Sequence, residues 1–246
     1  MINLGLNYLN SLSVYVPEAL ALVVMVGLVF LEATYNHNEK RRMTNYFSLL
    51  GLLSVAIVLF LNLSLEPTTA FFNAVTIDPF STLMKLMMTL GTMGAIYLNS
   101  VTKEINLNTK NEFNILVIGV LIGGMILSSA NNMLTLYVGV ETLSILSYVL
   151  ASLKRSNEMS SEAGLKYSLY GGVSAGLMLF GLSHIFGVFG TIQFTGLVDQ
   201  LNQLNLNQTL VLIPSFLLFF VGLGYKIACV PFHMWSPDVY EGSPLP

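Results

Sequence analysis

Seven runs of about twenty mostly apolar residues follow one another along this chain, separated by short polar connectors. A helix needs about 20 such residues to cross the hydrocarbon core of a bilayer. The runs lie near Val14–Leu31, Tyr46–Leu65, Pro79–Leu98, Phe113–Ala130, Met133–Ala151, Glu162–Val188 and Thr209–Val230. Apolar residues surround each run, with no ten-residue alternation, so helical spans are expected rather than barrel strands. The predicted class is an all-α polytopic transmembrane bundle of about seven helices. Charged residues make up 9% of the 246, against roughly 25% in a soluble domain. So few charges cannot coat a water-facing surface, which argues against a soluble enzyme or a nucleic-acid binder. A single cysteine, Cys229, excludes an internal disulfide framework and a multi-cysteine metal or iron–sulfur site. The 12 methionines read as apolar filler between helices.

The first run does not read as a signal peptide, because its basic cluster follows the apolar stretch and no small-residue cleavage pattern is present. The connectors set an orientation. Lys40, Arg41 and Arg42 lie between runs 1 and 2, Lys103 and Lys110 between runs 3 and 4, and Lys154 and Arg155 between runs 5 and 6. The alternate connectors hold Glu66, Asp78 and Asp199 and no Lys or Arg. The positive-inside rule assigns the basic side to the cytoplasm and the N-terminus to the outside.

Of the 10 basic residues, three remain inside the runs: Lys85, Lys166 and Lys226. Glu141 joins them at the middle of run 5, about ten residues and so about 15 Å from its cytoplasmic end. A charge at mid-bilayer costs about 2.5–3.5 kcal/mol on insertion scales, so such groups pair with one another or line a hydrated path. Glu141 is either a protonated carboxyl bonded to a neighbouring helix or the charge partner of a buried lysine. Lys166, in SEAGLKYSLYGG, either snorkels to the interface or pairs with Glu141 across the short connector between runs 5 and 6. Lys226 lies between Gly222, Gly224 and Pro231, which predicts a broken helix, tolerated in a membrane where it lines a protein-buried or hydrated cavity. Lys85, about two turns from the outer end of run 3, is expected to snorkel outwards. Glu18, after Pro17, is expected to serve the N-terminus of the first helix.

Burial disfavours a charged lysine, and a nearby carboxylate restores the charge. A glutamate–lysine pair beside a second lysine is therefore a minimal proton relay. His233 beside the helix break is a possible relay, and His184 a weaker one that more often reads as a helix contact. Tyr148 and Tyr225 read as packing residues and Trp235 as an anchor. No redox motif is present, and GVLIGG reads as helix-packing glycine.

The run GYKIACVPFHMWSPDVYEGSPLP resembles the seventh-to-eighth-helix signature of the antiporter-like subunits of respiratory complex I. PFHMWSPDVYEGSP looks most like the N type, and ETLSILSYVL followed by EAGLKYSLYGG is similar to its helices 5 and 6. The resemblance implies that Glu141 and Lys166 form the helix-5/helix-6 pair and that Lys226 is the lysine of the broken seventh helix. It implies residues 1–112 as three N-terminal helices and 113–246 as the first part of an inverted five-helix repeat. The implied activity is proton translocation in NADH:quinone oxidoreductase, a translocase subunit without a redox centre of its own. NADH, FMN, iron–sulfur clusters and quinone are then expected in partner subunits, and other complex I membrane subunits and the lipid bilayer as its surroundings. The family has about fourteen helices, so either a truncated product or a C-terminal half carried on a separate chain is implied. The implied location is the bacterial inner membrane, or an organellar inner membrane. An Mrp-type cation/proton antiporter subunit would use the same residues with sodium, and a structural membrane scaffold would keep them paired and dry.

Overall fold

The computed structural model describes residues 11–12, 14–34, 37–102, 105, 109–154, 156–201 and 204–244, with the backbone alone for residues 37–42. Among the described residues, nine helices and one small hairpin follow in order: α1 Val16–Thr34, α2 His37–Asn62, β1 Thr68–Ala70, β2 Val75–Ile77, α3 Pro79–Val101, α4 Lys110–Ser128, α5 Met133–Ala151, α6 Glu158–Phe189, α7 Phe194–Leu201, α8 Leu206–Lys226 and α9 Ser236–Gly242.

The helix ends are written in polar caps. Asp78 accepts from the Ser81 amide at 2.6 Å, and the Ser81 hydroxyl answers the Asp78 amide at 3.0 Å, with Pro79 opening α3. Asn132 caps α5 by accepting from the Thr135 amide at 2.7 Å. At its far end α6 stops at Gly190, whose φ of 66° is left-handed. With 32 residues, α6 is about 48 Å long and outruns a hydrocarbon core of about 30 Å.

Among the described residues, six helices, α1, α2, α4, α5, α6 and α8, are long and apolar enough to cross a membrane. The third expected span, α3, forms as a helix but falls short of that composition. It carries Ser81, Thr82, Lys85, Thr89, Thr92 and Asn99, all buried, while Phe80, Leu83, Met87, Leu90 and Leu98 are exposed. The helix is thus turned polar side inwards and greasy side outwards. In water such a face would be reversed; facing lipid it is the sensible arrangement.

Two apolar clusters organise the bundle. One joins α1 to α4 through Ala21, Leu28, Leu52, Val55, Ile96 and Ile118. The other joins α5, α6, α7 and α8 through Met133, Met178, Ile185, Leu197, Leu212 and Phe219. Small residues let the helices approach closely. A Cβ on Gly123 would stand 2.7 Å from the Leu143 amide nitrogen, and one on Gly139 2.8 Å from that of Leu127, so α4 and α5 cross backbone to backbone.

The hairpin and α7 were not foreseen from the sequence. Thr68, Thr69 and Ala70 pair with Ile77, Thr76 and Val75. The Thr76 amide donates to Ser129 O at 2.8 Å, and the Asn131 amide to Ala74 O at 3.0 Å. The hairpin therefore staples the α2–α3 connector to the α4–α5 turn, and we call this the hairpin end of the bundle.

Among the connector cations, Lys103 and Arg155 and the side chains of Lys40, Arg41 and Arg42 lie outside the described residues. Lys110 is not at the surface. It is 1% exposed and donates to Asn99 O at 2.5 Å and to Thr102 O, closing the C-terminus of α3, where a cation suits the helix dipole.

Candidate functional site

The sequence expectation paired Glu141 with Lys166. The structure pairs Glu141 with Lys226 instead. Lys226 Nζ lies 3.1 Å from Glu141 Oε1, with the two side chains 9% and 15% exposed. The same ammonium donates to the Tyr148 hydroxyl at 2.8 Å and stands 5.4 Å from the centre of its ring.

Each group reaches this point for a local reason. Glu141 and Tyr148 are seven residues apart on α5, two turns along one face. Tyr148 needs room on α6, and Gly171 provides it: a Cβ there would collide with the Tyr148 hydroxyl. Lys226 is the last residue of α8. Its helix ends there because residues 227–235 turn, with Ala228 left-handed at φ 50° and Pro231 following. The Trp235 indole then donates back to Tyr225 O at 3.2 Å, satisfying a carbonyl at the helix end. Tyr167, Tyr225 and Trp235 stack beside it, the ring centroids of Tyr167 and Trp235 lying 4.5 Å apart.

Helix phase explains why Lys166 is elsewhere. The buried face of α6 runs through Ser160, Ala163, Gly164, Gly171, Ser174 and Met178, and Lys166 lies off that stripe. Its ammonium meets Asp238 at 2.5 Å and Glu162 at 2.7 Å, and the lysine is 36% exposed. It lines a cavity of about 340 Å³ with Tyr170, Tyr225, Phe232, Trp235 and Asp238. Asp238 was not singled out from the sequence. It belongs to the SPDVYEG run, and only the fold of α9 onto α6 brings it to Lys166.

The two histidines do not join the cluster. His184 is exposed, its Nδ1 3.0 Å from Phe180 O in its own helix and its ring 4.4 Å from that of Phe180. His233 is exposed in the turn after α8. Lys85 overturns its expected role: it does not snorkel but is 2% exposed and lies 2.5 Å from Glu18 Oε1. Glu18 is correspondingly more than a helix-end charge. Among the described residues no three His, Cys, Asp or Glu side chains converge as metal ligands would.

Known proteins share both the sequence and this arrangement of helices. A family described as NADH:quinone oxidoreductase/Mrp antiporter, transmembrane region, matches residues 130–246. The NADH-quinone oxidoreductase subunit N of Magnetococcus marinus is 34% identical over 239 residues, covering 95% of this chain and 48% of the relative. A chain of respiratory complex I from Thermus thermophilus with bound aureothin superposes with a TM-score of 0.74 at 28% identity, over 93% of this chain and 48% of that one. A chain of the Mrp complex from Dietzia shares the fold, with a TM-score of 0.68 at 20% identity over 93% of this chain and 44% of that one. The chain spans about half the length of the relatives it matches.

Proposed function

We propose that this chain belongs to the antiporter-like membrane subunits of NADH:quinone oxidoreductase, with the N type as its likeness in kind, and that it translocates protons through Glu141, Lys226 and Lys166. The observation that carries the reading is the buried contact of Lys226 with Glu141 and Tyr148 at the end of α8. An ammonium there is tolerable only while a counter-charge faces it. Neutralise or displace Glu141 and the ammonium is driven to give up its proton; restore the carboxylate and it loads again. Tyr148 gives the proton a hydroxyl to pass through. Lys166, half-open between Asp238 and Glu162, is placed to exchange with water at the basic end.

In this reading the redox chemistry belongs to partner subunits holding NADH, FMN, iron–sulfur clusters and quinone, and the chain contributes no cofactor. Its partners are the other membrane subunits of the complex. The membrane is the bacterial inner membrane, or an organellar inner membrane, with the N-terminus outside.

The test is Glu141→Gln in the assembled complex, reconstituted in vesicles. Protons moved per NADH oxidised should fall more than the rate of electron transfer. An unchanged ratio in a correctly assembled complex removes Glu141 from the mechanism. The family also includes Mrp antiporters, and transport that requires sodium would move the chain to that reading.

A further inference from the structure

We infer that Glu18 and Lys85 form a second proton-exchange site, separate from the Glu141–Lys226 pair and open only towards the hairpin end of the bundle. The inference goes beyond the proposed pumping role and does not depend on it.

The two side chains come from the first turn of α1 and the second turn of α3. They are 3% and 2% exposed and 2.5 Å apart. Among the described residues, neither Glu18 oxygen accepts a hydrogen bond of regular geometry, although both are buried. An ionised carboxylate offers about four acceptor positions, and buried charges are normally saturated with donors. Here the charged form rests on one ammonium. Lys85 has three donors, and besides Glu18 its ammonium faces the ring of Tyr15, 5.7 Å from the centre. A purely mechanical clamp between α1 and α3 would be served as well by apolar side chains.

Among the described residues, the segments around the pair add no further charge. The half of α2 at this end, residues 50–62, and residues 118–128 of α4 contain no ionisable side chain, and neither does the hairpin, residues 68–77. Among the described residues, the titratable groups nearest in the chain are Tyr15, beside Glu18, and Asp78, two turns from Lys85 at the start of α3.

The polar lining of α3 differs on the two sides of the pair. Towards the hairpin end the buried face of α3 continues through Thr82 and Ser81 to Asp78, all polar. Towards the basic end it continues through Thr89 and Thr92, whose hydroxyls donate to Lys85 O and Met88 O of their own helix, and then meets Ile96, fully buried among Leu52, Val55 and Ile118, before Asn99. A proton arriving at Glu18 has an apolar plug behind it.

The test uses pH-step infrared difference spectra of the assembled complex in its membrane. A carboxylic C=O band should appear on acidification in the wild type and vanish in Glu18→Gln. In Lys85→Met the band should be present without acidification, because a lone carboxyl in apolar surroundings stays neutral. Should either single variant fail to assemble, Glu18→Leu combined with Lys85→Met keeps an apolar contact in place and should lack the band. Spectra of Glu18→Gln, or of the paired variant, identical to wild type would overturn the site. Glu141→Gln should remove a different band, so failure of the pumping reading and failure of this one are told apart in the same experiment.

Discussion

The ammonium of Lys226 stands between two groups of α5, the carboxylate of Glu141 at 3.1 Å and the hydroxyl of Tyr148 at 2.8 Å. One lysine at a helix end thereby ties α8 to α5, two helices that are not consecutive in the chain. The tie is electrostatic, and its strength depends on where the protons are.

Breaking it from either side should cost stability, and breaking it from both sides should cost less than the sum. We expect a coupling on the order of 0.5–3 kcal/mol between Glu141→Gln and Lys226→Met. Thermal unfolding of the two single variants and the double variant, in one detergent, measures it. Strict additivity would mean that the two groups do not interact.

Gly171 has no reactive group, yet it should behave as a residue of the site. A methyl there would collide with the Tyr148 hydroxyl and push it from Lys226. Gly171→Ala should therefore resemble Tyr148→Phe, each losing about 0.5–1.5 kcal/mol of hydrogen bonding and lowering the protons moved per NADH. Gly172→Ala, where nothing lies within 4 Å, is the control and should leave the ratio unchanged.

Helix contact can be probed without touching a charge. A Cβ on Gly181 would stand 2.5 Å from Ser215 O and 2.9 Å from the Phe219 amide nitrogen, both backbone atoms of α8. Gly181→Ala should force α6 from α8 at about 1–3 kcal/mol and lower the unfolding temperature. Gly176→Ala meets open space and should gain up to about 1 kcal/mol of helix propensity.

Lys166 should be chemically available where Lys226 is not. Asp238→Asn removes one of its two carboxylate partners and should raise labelling of Lys166 by an amine-directed reagent. Lys226, 9% exposed, should stay unlabelled in the same sample. Equal labelling of both lysines would contradict the geometry.

Hydropathy was enough to find the long helices, because twenty apolar residues in a row leave the backbone one way to satisfy itself in lipid. It also singled out Glu141 and Lys226, since ionisable residues inside such runs are costly. Which charges meet was harder to read. Glu141 and Lys166 have similar depths, but depth says nothing about the 100° that each residue advances around its helix, and that rotation turns Lys166 towards Asp238. Lys85 and Glu18 each had a sufficient explanation alone, so their pairing needed α1 and α3 side by side. The hairpin carries no run long enough to register, and its turn uses Phe71, Phe72 and Asn73 in the left-handed region without a glycine to signal it.

The inverted face of α3 bears on how the bundle is made. Alone in a bilayer, this segment would offer its serines, threonines, asparagine and lysine to hydrocarbon, with nothing to receive them. Its lysine finds its carboxylate on α1, which leaves the ribosome about sixty residues earlier. Entry of the third span into the lipid is thus contingent on the first already waiting there, and a lesion at Glu18 should show itself during biogenesis as a third helix that fails to stay in the membrane.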